Sequence, residues 1–337
     1  MNESVYIRGG IFINIYDIAR EAGVSIATIS RVINGKSTVN SKTREKVEAV
    51  LKKYNYTPSS TARSLSSKTT KSVAVLVEDI REPYYSGVAY AVERELSSLG
   101  YAALLHNTGG TAQGISQGLE SAVSRRADAA VICGISSQSH EAVAAAALTL
   151  PIILINDIVD GQGVYSVICD EIYGMMLAVA HLVSTGRHGI VFIQDCDDYS
   201  SKKLSEGFEA GMAMNDLSPN EQIFTTERGF EGGFACANAM LSEGRIFDSV
   251  ICGDDSTAAG FIKCLRQNFH DVPQNKAVIG FHNTPVAQCC TPALTTVDCR
   301  SEKVGAAAVL LLSELFAGKT PERETVILPR LIRGESA

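Results

Sequence analysis

Two stripes of apolar residues at helical spacing, interrupted once, open the readable pattern of the chain. Ile18, Ala19 and Ala22 form the first stripe, and Ile29, Val32 and Ile33 the second. Between them Gly23-Val24-Ser25 supplies a residue free to turn left-handed, an apolar plug for the angle and a cap for the second helix. The pattern predicts a helix-turn-helix in which small Ala19 lets the helices cross closely and Ile18, Ala22, Val24, Ile29 and Val32 share a core. A third helix is expected from about Lys42 to Tyr54, with Val47, Val50 and Leu51 facing inward. The bland alternative is an αα-hairpin inside a larger globular core.

From Ser72 onward the period changes. Short β-branched runs, Val73 to Val77, Ala102 to His106, Ala129 to Cys133, Ile152 to Ile155, Ile190 to Ile193, Ser249 to Cys252 and Ala277 to Gly280, are separated mostly by helix-length segments. That alternation predicts parallel sheets flanked by helices, and the length remaining suits two such α/β lobes.

Composition adds little until it is divided along the chain. The 337 residues carry 45% hydrophobic and 20% charged positions, which suits an ordinary globular protein of two or three domains. Apolar runs stay short of the roughly 18 residues that cross a bilayer, and the opening MNESVYIRGGIFI lacks the layout of a secretory signal, so a cytoplasmic protein without membrane association is expected. The nine cysteines show no CxxC or CxxxC spacing, which predicts reduced, mostly buried thiols, with neither metal nor cofactor. Charge is the informative quantity. Residues 1–71 hold 12 Lys and Arg against 5 Asp and Glu, a net +7, while the rest of the chain carries −14. A basic head on an acidic body fits a nucleic-acid-binding module attached to a body that repels DNA.

In a DNA-binding hairpin the second helix enters the major groove and its first exposed residues meet base edges. Here those are Ile26 and Ala27, suited to apolar contact with a thymine methyl, and Arg31, able to make two hydrogen bonds to a guanine. Tyr16, Ser25, Thr28, Ser30 and Asn34 are candidates for phosphate contacts, with capping or solvation an equal reading of the hydroxyls.

The stretch Tyr16-Asp-Ile-Ala-x-x-Ala-Gly-Val-Ser-x-x-Thr-Ile-Ser-Arg-Val-Ile-Asn34, followed by Ser41-Lys-Thr-Arg-Glu-Lys-Val-Glu-Ala49 and Asn55-Tyr-x-Pro58, resembles the head of the LacI/GalR family of bacterial repressors. The resemblance runs from about residue 14 to 335, through Pro292-Ala-Leu-Thr-Thr-Val297 and Leu328-Pro-Arg-Leu-Ile-Arg333. It implies an N-terminal three-helix head at 14–57, a hinge helix at 58–70, and a periplasmic-binding-protein-like domain of two parallel-sheet lobes at 71–337. The N-lobe would comprise about 71–169 and 297–319, and the C-lobe 170–296 and 320–337. Residues 1–13 lie outside the resemblance. Arg8-Gly9-Gly10 there is compatible with a translated ribosome-binding site and a true start near Ile13, or with a simple N-terminal arm.

The resemblance also implies roles. Leu65, with small Ala62 beside it, matches a leucine that the family wedges into the minor groove at the operator centre, an unstacking repaid by contacts to the bent duplex. Tyr84 and Tyr85 match an aromatic-bearing loop that stacks on the effector, and Asn156, Asp170, Asp254 and His282 match polar effector contacts. Three departures stand out: Leu204 replaces an Arg, Asp254-Asp255 an Asn-Asp, and Gly280-Phe-His-Asn283 a Gly-aromatic-Asp-Asp. The expected partners are an operator duplex, a small-molecule effector read as a carbohydrate or derivative, with a nucleobase, an amine-bearing ligand or no effector as the alternatives, and a second copy of the chain. No GxSxG elbow, P-loop or HExxH occurs, so an enzyme is not expected. Activation of transcription rather than repression stays open, as does, more remotely, a solute-binding role.

Overall fold

The computed structural model describes residues 5–6, 12–33, 38–54, 56, 69–194 and 199–337. The chain divides into two compact units, Met1–Lys71 and Ser72–Ala337. Asn34, Ala62 and Leu65 lie outside the described residues.

In the first unit, β1 (Val5–Tyr6) pairs antiparallel with β2 (Phe12–Ile13), and three helices follow: α1 (Ile15–Ala22), α2 (Ile26–Ile33) and α3 (Ser41–Lys53). Asn14 starts α1 with a reciprocal cap, its side chain accepting from the Asp17 amide while Asp17 accepts from the Asn14 amide. Gly23 ends it at φ 62°, a left-handed conformation that a side chain would strain. Ser25 then caps α2, its hydroxyl accepting from the Thr28 amide at 3.2 Å. Ile18, Ala19, Ala22, Ile29, Val32 and Val47 form the buried core with Tyr56, and Val24, Val50 and Leu51 pack at its edge.

The second unit begins with β3 (Ser72–Val77), α4 (Pro83–Ser98), β4 (Ala102–Asn107), α5 (Ala112–Ser124), β5 (Ala129–Cys133), α6 (His140–Ala147), β6 (Ile152–Ile155) and β7 (Val164–Cys169). It continues with α7 (Glu171–Ser184), β8 (Ile190–Gln194), α8 (Tyr199–Met214), β9 (Ile223–Thr225), α9 (Phe230–Ser242), β10 (Ser249–Cys252), α10 (Asp255–Gln267), β11 (Ala277–Phe281), α11 (Pro285–Cys289) and β12 (Thr295–Asp298). Then come α12 (Ser301–Phe316), β13 (Glu324–Ile327) and β14 (Arg330–Ile332).

These elements make two lobes, each a six-stranded sheet with helices on both faces. The first has strand order β13-β7-β6-β5-β3-β4 and is parallel throughout; the second has order β14-β12-β11-β10-β8-β9, with β14 antiparallel to β12. The central strands are apolar along their whole length because helices cover both sides; β5 and β6 are buried at every position. In each sheet the winding reverses direction, between β3 and β5 in the first and between β8 and β10 in the second. Such switch points splay the loops at the strands' carboxyl ends and open a crevice for ligand.

The chain passes between lobes three times, and two passages differ from the sequence-based boundaries. β12 completes the second sheet as far as Asp298, so the second passage lies at 299–300. The third lies at 328–329 rather than near 320, because β13 pairs in parallel with β7 and belongs to the first lobe. That edge strand alternates exposed and half-buried residues and carries little apolar signal.

Candidate functional site

In the head, α2 turns one face into the core through Ile29 and Val32 and leaves Ile26, Ala27 and Arg31 exposed. Tyr16 is exposed on α1, Ser25 is exposed before α2, and Thr28 and Ser30 are half-buried. The hydroxyls of Ser25 and Thr28 lie 2.9 Å apart, so these two side chains serve the helix start. Glu21 ties α1 to the end of α3 through Lys53 and Tyr54, which locks the frame that presents α2.

In the second unit the two carboxyl-end crevices face each other across a cavity of about 60 Å³. Residues following β5 (Gly134, Ile135), β6 (Asn156, Asp157) and the start of α4 (Tyr84, Tyr85) line it from the first lobe. Ser200, Ser201, Leu204, Arg228, Asp254, Asp255, His282 and Thr284 line it from the second.

The opposing walls touch. Tyr84 stacks on His282 with ring centroids 4.1 Å apart and planes inclined by 21°. Arg228, in the loop before α9, donates to the Glu78 carboxylate at 3.1 Å and to the Tyr85 hydroxyl at 3.1 Å. Tyr85 in turn donates to the other Glu78 oxygen at 2.6 Å. This triad crosses from one lobe to the other with its charges only about a quarter exposed, 22% for Arg228 and 27% for Glu78. Burial pushes both tyrosine hydroxyls well above their ordinary pKa, so each is a neutral donor throughout the physiological range.

Asn156 is committed to neighbours on both sides of the first passage. Its amide donates to the Tyr84 hydroxyl and to Glu171, both at 3.0 Å, and its carbonyl accepts from the Cys169 amide at 2.8 Å. Asp254 caps α10 by accepting from the Thr257 amide at 2.9 Å, and still lines the cavity. Asp255 beside it is fully buried and accepts from the Thr284 amide at 2.6 Å, the Thr284 hydroxyl at 2.9 Å and the Thr296 hydroxyl at 2.6 Å. Burial pushes its pKa up to about 7 despite those donors, with the charge of Asp254 adding to the rise.

Of the six effector candidates read from sequence, Tyr84, Tyr85, Asn156, Asp254 and His282 come together on the cavity wall. Asp170 does not. It caps α7, accepting from the Tyr173 amide at 3.0 Å, and faces a separate cavity. The family resemblance marked it as an effector contact, but the chain is already passing between lobes there. Among the residues that sequence reasoning missed are Arg228, Asp255 and Thr284 on the cavity wall and Glu78, which is bonded to Arg228. Only Asp255 carried a visible signal, as half of an Asp-Asp pair opening a helix.

A model of the bacterial regulatory proteins of the lacI family matches residues 14–59, and a model of the periplasmic binding protein-like domain matches residues 179–337. An HTH-type transcriptional regulator of Lachnoclostridium phytofermentans is 30% identical over 325 residues, covering 95% of this chain and 98% of its own. The HTH-type transcriptional repressor PurR of Pasteurella multocida is 31% identical over 326 residues, 94% of this chain and 96% of its own. The ribose operon repressor of Escherichia coli K12 is 31% identical over 320 residues, 94% and 97%. Among solved structures, the lac repressor dimer bound to operator and the anti-inducer ONPF superimposes with a TM-score of 0.88 at 24% identity, over 96% of this chain and 98% of that one. The transcriptional regulator CelR in complex with cellobiose gives 0.73 at 23% identity, over 96% and 100%.

Proposed function

The chain belongs to the lacI family of bacterial regulatory proteins, and on that footing we propose that it represses transcription by gripping a palindromic operator as a dimer under the control of a small molecule in the interlobe cavity. The observation that carries this reading is α2, a helix locked from behind that offers Ile26, Ala27 and Arg31 to a groove from a segment of net charge +7. Arg31 reads a guanine, Ile26 and Ala27 pack on base edges, and Tyr16, Ser25, Thr28, Ser30 and Asn34 hold the backbone. Leu65 and Ala62 supply the central minor-groove wedge. The periplasmic-binding-protein-like unit pairs two heads at the spacing of two half-sites.

The effector is a hydroxyl-rich small molecule of the carbohydrate class, held by Asp254 and, once it displaces their present partners, by Asn156 and the Tyr84 ring. Relatives named for ribose and a structural neighbour solved with cellobiose support that class. Leu204 on the wall gives the pocket an apolar side that discriminates among sugars, since a buried hydroxyl left without a partner there is costly. The control is a population shift, in which ligand must bind the two lobe arrangements unequally; a coupling of about 1–3 kcal/mol changes operator affinity roughly 5- to 150-fold.

Selection of bound duplexes from a random pool, with and without candidate sugars, tests the proposal. A palindromic consensus is expected, and Arg31→Ala should relax one symmetric pair of positions at a cost of about 1–3 kcal/mol. Equal weakening on every sequence would remove Arg31 from base reading, and no preference for any duplex over genomic competitor would defeat the function itself.

A further inference from the structure

Around the ring of Tyr84 three side chains of unlike chemistry converge where the chain passes between lobes. Glu171 opens α7 directly after the first passage, Cys299 lies in the second, and His282 follows β11. One carboxylate oxygen, one ring nitrogen and the sulfur all lie within 4.8 Å of one another. Glu171 and Cys299 are buried and His282 is half-buried. The thiol of Cys169, the last residue of β7 and also buried, is a neighbour of Cys299.

The surroundings hold these groups in place. Glu171 accepts from the Asn156 amide at 3.0 Å and from the Ser200 hydroxyl at 2.7 Å, which fixes the carboxylate. His282 is oriented by its stack on Tyr84 and by a backbone at φ 89°, a conformation that a residue with a side chain rarely adopts without a compensating role.

We propose that Glu171, His282 and Cys299 bind a zinc-class divalent cation at the passage between the lobes. The donor set argues for that class: imidazole nitrogen and sulfur suit zinc, cobalt or cadmium, whereas magnesium and calcium demand oxygen ligands. Donors of a tetrahedral zinc site stand about 3.5 Å apart, so the three donors, all within 4.8 Å of one another, need to close by little more than about 1 Å. On binding, the Cys299 thiol surrenders its proton to solvent and becomes a thiolate, while the carboxylate and the imidazole each give a lone pair. Uptake is therefore linked to proton release. A cavity of about 200 Å³ lined by Cys169 and Glu171 gives a route to the site. Lys203 at that cavity is held by Glu206 at 2.8 Å, which moderates its repulsion of an entering cation.

The test is a cobalt titration of the full-length chain, stripped with a chelator and kept reduced with a phosphine. One equivalent of Co²⁺ is expected to bind with thiolate-to-cobalt charge-transfer absorption in the near ultraviolet and visible bands of tetrahedral cobalt, and Zn²⁺ should displace it. Cys299→Ser and His282→Gln should each weaken binding by more than the roughly 10- to 100-fold that loss of an outer-shell partner costs, and Cys299→Ser should diminish the charge-transfer band. Cys289→Ser, at an exposed position on α11, should change neither. The proposal is overturned if the wild-type chain takes up no stoichiometric cobalt or binds it without a thiolate band, an outcome that needs no variant to fold. It is equally overturned if both ligand variants bind cobalt as the wild type does.

Discussion

Asp255→Asn should flatten the pH dependence of stability, and the structure supplies the size of the effect. The Asp255 carboxyl is fully buried among Thr284 and Thr296, and its pKa is raised from 3.8 to about 7. A raised folded pKa means that the native state binds the proton more tightly than the unfolded chain does. The stabilisation is therefore complete below the unfolded value, near 4, and is lost as pH climbs through about 7. Between pH 5 and pH 8 the proton's contribution falls by about 3 kcal/mol, since each unit of separation is worth about 1.4 kcal/mol. Urea unfolding followed by far-ultraviolet circular dichroism at the two pH values reads this as a loss of roughly 1 M in the midpoint of the larger unit's transition. Asparagine keeps the shape and both kinds of hydrogen-bonding group without the titration, so the variant should lose less than half as much between the two conditions. An unchanged difference between pH 5 and pH 8 would refute the idea that Asp255 enters the fold protonated.

Gly260→Ala attacks the contact between α9 and α10. A methyl group built at Gly260 would stand 1.9 Å from the Phe230 carbonyl oxygen, a backbone atom that cannot swing aside, so a loss of about 3 kcal/mol or more and a fall of roughly 10 °C in Tm are expected in calorimetry. The Glu78–Arg228 pair is best read by a double-mutant cycle with Glu78→Gln and Arg228→Met in urea. A coupling of about 1–3 kcal/mol is expected for a charged pair so little exposed, and additivity of the two single variants would show that the crossing contact does not hold the lobes.

How much of this could be read from the residues depended on where the signal lay. The head was legible because each of its helices carries a full apolar stripe, from Ile18 to Ala22 and from Ile29 to Ile33, and its turn has a glycine where φ is positive. The buried central strands were legible as apolar runs; β5, β6 and β10 begin and end where those runs do. β9, β12, β13 and β14 were not, because short strands that mix polar and apolar residues, such as Thr295–Asp298, are defined by their neighbours in the sheet rather than by their own apolarity. β7 was missed for another reason: no helix separates it from β6, so the alternation that marked the other strands is absent there. Within the site, Tyr84, Asn156 and Asp254 follow strands or open helices and were marked by the family resemblance. Arg228 meets Glu78 across 150 residues of chain, and no local pattern announces such a pair.

That long-range pair also decides how the cavity can work. With about 60 Å³ free, room for a water or two, the lobes stand closed on their own side chains. Arg228 is already bonded to Glu78 and Tyr85, and Tyr84 already lies on His282. A sugar-sized ligand therefore enters only if the walls part, and it must replace those contacts as it does so, at about 1–3 kcal/mol for each buried polar group it leaves unmatched. Its affinity is set by a difference between ligand contacts and wall-to-wall contacts, which makes the same residues that confer selectivity the ones that set the equilibrium between lobe arrangements. It follows that weakening the Glu78–Arg228 contact should tighten effector binding by up to the coupling energy of the pair, because a larger fraction of molecules is then open before the ligand arrives.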